Sequence, residues 1–273
     1  MRFIFLFIIY SAFSFGALAQ TYEEFIEKSY DYLEKEDLTA AEESLRAAMR
    51  LEPANPYNYA LLTNLGTIQR RQGKMDDALL SYSTALSRRP KDIILLGNRA
   101  SLYAEMGETD KAIADYTFLL LEDPIEQNAL YNRGILFLQK RDFLQAEADF
   151  DKILEVNEKT IYGRLGHAIM ERMRGNYEES ERIYNYLINE KPKDLQLYES
   201  RAELYFLMGK NARAKSDINK VMSESEPTAS IYVLRGKVNL AQYEKESAKK
   251  DFLKAQEMGY DQTIINELLK MTE

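Results

Sequence analysis

Four arginines in this chain are each followed by an aspartate sixteen residues later. A guanidinium and a carboxylate can form two parallel hydrogen bonds, so a pair of this kind is both strong and geometrically specific. We therefore predict that each arginine binds its aspartate across two antiparallel helices and holds them together. An anion-binding ladder of arginines is the alternative. The pairs are Arg99 with Asp115, Arg133 with Asp149, Arg201 with Asp217, and Arg235 with Asp251.

Residues for catalysis or metal binding are scarce, since the 273 residues include no Cys and one histidine, His167. A zinc or iron–sulfur site built from the usual soft ligands is thereby excluded. His167 occupies the position that the paired arginines hold elsewhere, and no catalytic motif fixes a Ser or Asp beside it. Gly209 and Lys210 lack the upstream glycine of a phosphate-binding loop. We predict no enzyme activity and no cofactor, with His167 as a packing residue.

The residues around these pairs recur with a period of 34, which defines seven similar segments. Each segment has a small residue at its eighth position, Ala or Ser at its twentieth and a large side chain at its twenty-fourth. Between the two small positions, Gly73, Gly107, Gly175 and Gly209 permit the positive φ of a tight turn. This arrangement suits two closely packed antiparallel helices. The segments, here called repeats one to seven, are residues 22–55, 59–92, 93–126, 127–160, 161–194, 195–228 and 229–262.

The pattern covers residues 22–260 and resembles the tetratricopeptide repeat (TPR) family. The resemblance implies an all-α fold, a right-handed α-solenoid of seven helix pairs whose first helices line a concave groove. It also implies a scaffold for protein–protein interaction. Because a stack of repeats needs a cap at its end, we predict a closing helix at residues 262–272. The apolar face of this helix would comprise Ile264, Ile265, Leu268 and Leu269.

Repeats two to four carry asparagine at their sixth position, as Asn64, Asn98 and Asn132, and the resemblance places this position on the concave surface. An asparagine amide has both an acceptor and two donors, which match the C=O and N–H groups of an extended peptide. The three asparagines therefore predict a ladder that binds a peptide backbone. The alternative is that Asn is simply a common polar residue at this position.

The predicted groove changes character along the chain. Arg70 and Arg71 predict a polar, locally basic surface in repeats two and three, whereas repeats four and five offer an apolar stripe that suggests binding when exposed. In repeat five, either the first helix is rotated to bury its part of the stripe or it presents the stripe to a partner. The family's carboxylate clamp for chaperone tails needs a Lys at the fifth position, which no repeat has. The stripe comprises Tyr131, Ile135, Leu138, Tyr162, Leu165, Ile169 and Met173.

Residues 1–19 have the features of a secretory signal peptide, with Arg2, an apolar run from Phe3 to Phe15, and small residues before Gln20. We therefore predict an exported bacterial protein, periplasmic or secreted, with no membrane anchor after cleavage. The formal net charge of −8 argues against a nucleic acid partner. The predicted function is a non-catalytic scaffold that binds an extended peptide or a partner helix. The alternative is a structural assembly factor of an envelope complex that docks through its convex face or ends, or self-associates. The identity of the partner and the oligomeric state stay open.

Overall fold

The computed structural model describes residues 21–273, so the predicted signal peptide lies outside the described residues. Over this range the regular secondary structure is entirely α-helical. The helices are α1 (Tyr22–Glu34), α2 (Leu38–Leu51), α3 (Asn58–Arg71), α4 (Met75–Arg88), α5 (Ile93–Glu105), α6 (Thr109–Glu122), α7 (Gln127–Gln139), α8 (Phe143–Val156), α9 (Ile161–Arg174), α10 (Tyr177–Glu190), α11 (Leu195–Leu207), α12 (Asn211–Glu224), α13 (Ala229–Ala241), α14 (Lys245–Glu257) and α15 (Gln262–Lys270).

The chain divides into two compact units within α6, one ending at Asp115 and the other beginning at Tyr116. In the first unit, each helix from α1 to α5 packs against the next along the chain. In the second, the same holds from α7 to α15. These consecutive helix pairs, followed by a closing helix, confirm the predicted all-α repeat architecture. Within residues 21–273, no helix is both long and apolar enough to cross a membrane.

The turn inside every helix pair contains a residue in the left-handed region at the fifteenth position of the repeat. The four predicted glycines adopt this conformation, with φ between 69° and 84°. Glu36, Arg141 and Tyr243 take the same conformation in the three remaining repeats, with φ between 59° and 64°. The sequence did not reveal these three positions, because only glycine marks a left-handed turn by its residue type.

Small residues at the eighth position let a large side chain of the second helix pack directly on the backbone of the first. A Cβ added to Gly134 would lie 2.5 Å from Cε1 of Phe150, closer than two carbon atoms can approach. Phe150 itself is fully buried. A small residue on the first helix therefore makes room for a large side chain on the second, and glycine does so for Tyr82, Phe150 and Phe252.

The predicted arginine–aspartate contacts are confirmed, and each guanidinium is bidentate. In repeat four, Arg133 donates from Nε and Nη2 to the two Asp149 oxygens, at 2.9 and 2.6 Å. Its third nitrogen, Nη1, donates to Thr117 Oγ1 at 3.1 Å, on the second helix of the preceding repeat. Arg99 and Arg201 make the equivalent third contact with Ser83 and Asn185. Each of these arginines therefore links two repeats as well as the two helices of its own repeat.

The closing helix α15 ends at Lys270, two residues before the predicted limit. Ile265 and Leu268 join a cluster with Phe252 and Ala255 of α14, whereas Ile264 stays exposed. One face of α15 thus covers the last repeat and the other faces solvent.

Candidate functional site

The second unit presents an aromatic and aliphatic surface on the first helices of repeats four and five. We call it the tyrosine face and define it by Tyr131, Asn132 and Ile135 of α7 with Tyr162, Leu165, Ile169 and Met173 of α9. Helices α7 and α9 contact each other, and the rings of Tyr131 and Tyr162 lie 5.3 Å apart, centroid to centroid. Aromatic pairs at this distance attract each other beyond the effect of simple burial.

Helix α9 divides the predicted stripe of repeat five between its buried and its exposed side. Gly163, Gly166 and Met170 are buried on the side of α9 that packs in the core, and a Cβ on Gly166 would overlap the Phe150 ring. Beside them the stripe is divided, since Leu165 packs against two core clusters. Tyr162 and Met173 keep 38% and 40% of their surface exposed.

Leu138 does not belong to the tyrosine face, so its predicted place in the groove is wrong. Its side chain is only 1% exposed and packs in the core. The twelfth position lies on the side of α7 that faces neighbouring helices. Leu165 and Ile169 are partly buried, and the Leu165 side chain packs against two clusters of the hydrophobic core.

Tyr131 anchors the tyrosine face from a partly buried position. Burial raises the pKa of its hydroxyl to about 12, with smaller contributions from Tyr184 and Tyr162. The hydroxyl therefore stays protonated at physiological pH and can donate a hydrogen bond. A partner group placed against this ring meets an apolar plane with one polar end.

The three asparagines of the predicted ladder differ in their surroundings. In the first unit, Asn64 donates to the Tyr30 hydroxyl at 3.5 Å, the outer limit of a hydrogen bond. No hydrogen bond from the Asn98 side chain, in the same unit, forms to any residue from 21 to 273. Asn132, in the second unit, is likewise without a partner in the described chain. Both amides are partly exposed, so their donors and acceptors are open to an incoming peptide.

The locally basic surface predicted for repeats two and three is neutralised by carboxylates. Arg70 forms a two-pronged contact with Glu105, in which Nε donates to Oε2 at 2.7 Å. This contact holds the pKa of Glu105 below its usual range. Arg71 donates to Glu36 at 2.6 Å. The acidic partners lie in other helix pairs, about one repeat away in sequence, so the spacing within a repeat did not reveal them.

Glu199 on α11 is a candidate site residue that the sequence did not single out. It holds the fifth position of repeat six, which is Tyr131 in repeat four and Leu165 in repeat five. Burial, with a contribution from Glu203, raises the pKa of its carboxyl. Glu203 is paired with Arg172 of α9, whereas Glu199 has neither an ion pair nor a hydrogen bond to any described side chain. A cationic group from a partner would stabilise this partly buried carboxylate.

His167 links two repeats. Its Nε2 lies 2.9 Å from Asp151 Oδ1 on α8, and its ring meets the Phe150 ring edge-on at 5.9 Å. Asp151 lies sixteen residues before His167, and Thr117 lies sixteen residues before Arg133. The imidazole of His167 therefore makes the contact with the preceding repeat that Arg133 makes through its third nitrogen. Across residues 21–273, no group of three His, Cys, Asp or Glu side chains is placed to hold a metal ion.

Comparison with known proteins places these features in a family. The sequence profile of the tetratricopeptide repeat matches residues 26–93 and 98–159. A crystal structure of a tetratricopeptide repeat protein from Parabacteroides merdae is 67% identical, covers 92% of this chain and 98% of its own, and superposes with a TM-score of 0.85. The chain belongs to the TPR family. Members of this family generally serve as scaffolds for protein–protein interaction.

More distant relatives of this TPR protein share only part of its sequence or only its fold. The structure of PilW, described as a type IV pilus biogenesis factor, is 21% identical and covers 78% of this chain and 96% of its own, with a TM-score of 0.63. RNA polymerase II-associated protein 3 from Rattus norvegicus is 32% identical over 101 residues, or 37% of this chain. The chain spans about 15% of the length of that relative.

Proposed function

We propose that this TPR protein is a non-catalytic scaffold that binds an extended peptide segment of a partner protein on the tyrosine face. The family supports the role in protein–protein interaction. The observation that carries the proposed site is the contact of Tyr131 with the exposed Tyr162 beside the free amide of Asn132. Apolar side chains of the peptide would cover the two rings and the aliphatic residues of α9. The Asn132 amide would bind the peptide backbone, independently of the side chains that the peptide carries.

The chemistry of the tyrosine face suggests the composition of the peptide. Tyr162, Ile169 and Met173 offer apolar surface, which favours aromatic or aliphatic partner residues. Glu199, at the equivalent position one repeat further along the chain, carries a carboxylate with no cation beside it. We therefore expect a peptide with apolar residues and one Lys or Arg, whose charge neutralises Glu199.

Export of the protein belongs to the same proposal. It is supported by the charged start, apolar run and small-residue cleavage site within residues 1–19. The partner would then be a protein of the periplasm or of the extracellular space.

The experiment selects peptides from a random display library on the protein spanning residues 20–273. The affinity of the best peptides is then measured by fluorescence anisotropy for the wild type and for Tyr162→Ala, Asn132→Ala and Glu199→Gln. Tyr186→Ala is the matched control, because Tyr186 is another exposed tyrosine of repeat five but lies on α10. Circular dichroism establishes that each variant keeps its helices.

We expect Tyr162→Ala to weaken binding at least tenfold, equivalent to about 1.4 kcal/mol, and Tyr186→Ala to leave it within twofold. Glu199→Gln should weaken the binding only of those peptides that contain Lys or Arg. Equal binding by Tyr162→Ala and the wild type would contradict the proposed site. That result would direct attention to the alternative, docking through the convex face or the ends.

A further inference from the structure

One side of repeat one lacks a contact that repeats three to six share. In those four repeats the seventh residue forms a hydrogen bond with the twenty-fifth residue of the preceding repeat, as Arg133 does with Thr117 and His167 with Asp151. Repeat one has Lys28 at its seventh position, and within residues 21–273 no repeat precedes it. Lys28 forms neither a hydrogen bond nor an ion pair with any described residue. The side of repeat one that a preceding repeat would cover is therefore available to a partner.

A cleft of about 290 Å³ lies on this side of repeat one. Phe25, Lys28 and Tyr32 of α1 line the cleft, and their spacing of three and four residues places them on one face of the helix. All three side chains are partly exposed. Of the charged residues that line the cleft, Lys28 and Arg50 are cationic and Glu43 is acidic. We call Phe25, Lys28 and Tyr32 the α1 stripe, in which one cation lies between two apolar side chains.

The outer side of α15 carries the complementary pattern. Ile265 and Leu268 pack against the last repeat, whereas Ile264 and Met271 are 42% and 60% exposed. Met271 directly follows the last residue of α15 and keeps a helical backbone conformation. Glu267 lies between these two apolar residues, is exposed, and pairs with no cation of the described chain. We call Ile264, Glu267 and Met271 the α15 stripe, because it repeats the spacing of the α1 stripe with an anion in place of the cation.

We propose that the α15 stripe of one molecule packs on the α1 stripe of a second copy of the chain. Glu267 pairs with Lys28 in this contact, and the apolar residues on either side of the ion pair cover each other. A symmetric contact is disfavoured, because two α1 stripes would bring two copies of Lys28 together and two α15 stripes would do the same with Glu267. This inference does not depend on the proposed peptide binding.

The proposed contact joins two different surfaces, so its assembly differs from that of a symmetric dimer. Each pair of molecules keeps one free α1 stripe and one free α15 stripe. Association therefore continues beyond the dimer unless the contacts close a ring. Because two short stripes bury little surface, we expect each contact to be weak.

The test is analytical ultracentrifugation of the protein spanning residues 20–273 over a wide range of concentrations. We expect the average mass to rise above that of one chain as the concentration increases. Lys28→Glu and Glu267→Lys should each weaken association at least tenfold, because each brings like charges together. Lys193→Glu is the matched control, since it makes the same charge change at an exposed residue between α10 and α11 and should have no effect. Circular dichroism establishes that each variant keeps its helices.

An equimolar mixture of the two stripe variants tests the ion pair itself. In the mixture, Glu267 of the Lys28→Glu protein meets Lys28 of the Glu267→Lys protein, and the two substituted positions also meet with opposite charges. Association should therefore return to the wild-type level, although each variant alone stays monomeric. The proposal is overturned if the wild-type mass stays that of one chain at every concentration. It is also overturned if Lys193→Glu weakens association as much as the stripe variants do, if the stripe variants associate as the wild type does, or if the mixture does not restore association.

Discussion

The rings of Tyr131 and Tyr162 lie 5.3 Å apart, on the first helices of two successive repeats. This contact joins repeats four and five, and Tyr162 keeps more than a third of its area exposed. In repeat five, the buried side of α9 comprises Gly163, Gly166, Ala168 and Met170, whereas Tyr162 and Met173 are exposed. The repeat therefore gains its exposed stripe without losing its contact with α8.

The bidentate pair of Arg133 and Asp149 should contribute strongly to stability, because both side chains are largely buried. Replacing Arg133 with Gln leaves Asp149 charged and without its main partner, which we expect to destabilise the protein by about 3 kcal/mol. The exposed pair of Lys152 and Glu155 is the control, since Lys152→Gln should cost at most about 1 kcal/mol. Urea unfolding followed by circular dichroism measures both. Equal urea midpoints for the two variants would show that the buried pair contributes no more to stability than the exposed pair.

Arg141 sits in the turn between α7 and α8 with a φ of 59°. A left-handed conformation costs an L-residue about 1–2 kcal/mol. Glycine avoids this cost in the folded state, but its greater freedom in the unfolded chain offsets part of the gain in stability. We therefore expect Arg141→Gly to stabilise the protein by about 0.5–1 kcal/mol. Gly107→Ala is the reciprocal change, in a turn with a φ of 76°, and should lower the melting temperature. A lower melting temperature for Arg141→Gly would contradict this account of the turn.

These elements indicate how much of the fold the sequence could predict. Contacts within one repeat recur at fixed spacings, so the arginine–aspartate pairs and the glycine turns were predictable from periodicity alone. Contacts between repeats were harder to predict, because the spacing alone does not show which helices of different repeats lie close enough to touch. The carboxylates that pair with Arg70 and Arg71 come from neighbouring helix pairs. The sequence therefore predicted a more basic surface around these two arginines than the structure has.

The candidate site was predictable only in outline. Tyr162 and Met173 are exposed as predicted for the stripe. Leu138, about one helical turn beyond Ile135, lies instead on the side of α7 that packs in the core. Side-chain burial changes gradually around a helix, and the sequence does not show at which position a side chain becomes buried. The sequence did not identify Glu199, because only the three-dimensional structure shows that no described cation pairs with its carboxylate. The binding role of the tyrosine face and of the three asparagines stays a prediction.

The raised pKa of Glu199 makes both stability and binding depend on pH. An acid whose pKa is higher in the folded state than in the unfolded state binds more protons when folded, so its contribution to stability falls as pH rises through that interval. Glu199→Gln should therefore be more stable than the wild type at pH 7 and lose this advantage near pH 4. Urea midpoints at the two pH values measure the difference.

The same titration should govern the affinity for a peptide with a Lys or Arg residue. As pH falls, protonation of Glu199 removes the charge that attracts the cation, so the wild type should bind such a peptide more weakly. Glu199→Gln should show a flatter pH profile of affinity for the same peptide. Parallel profiles for the two proteins would contradict a contact between Glu199 and the peptide.

The features of residues 1–19 predict that the mature protein begins at Gln20. Expression of the full chain in a bacterial host, followed by intact mass measurement of the extracytoplasmic fraction, would show the loss of nineteen residues. Ala19→Arg should block cleavage, because the site requires a small residue there. Recovery of the uncleaved chain alone from wild-type cells would contradict the predicted export.

The most direct test of the proposed function is photo-crosslinking of a selected peptide to the protein, with the modified residues identified by mass spectrometry. The peptide carries the reactive group at one of its apolar positions. We predict crosslinks to Tyr131, Tyr162, Ile169 or Met173, which an excess of unmodified peptide suppresses. Crosslinks confined to the second helices, for example at the exposed Leu144 of α8, or to α15 would contradict binding on the tyrosine face.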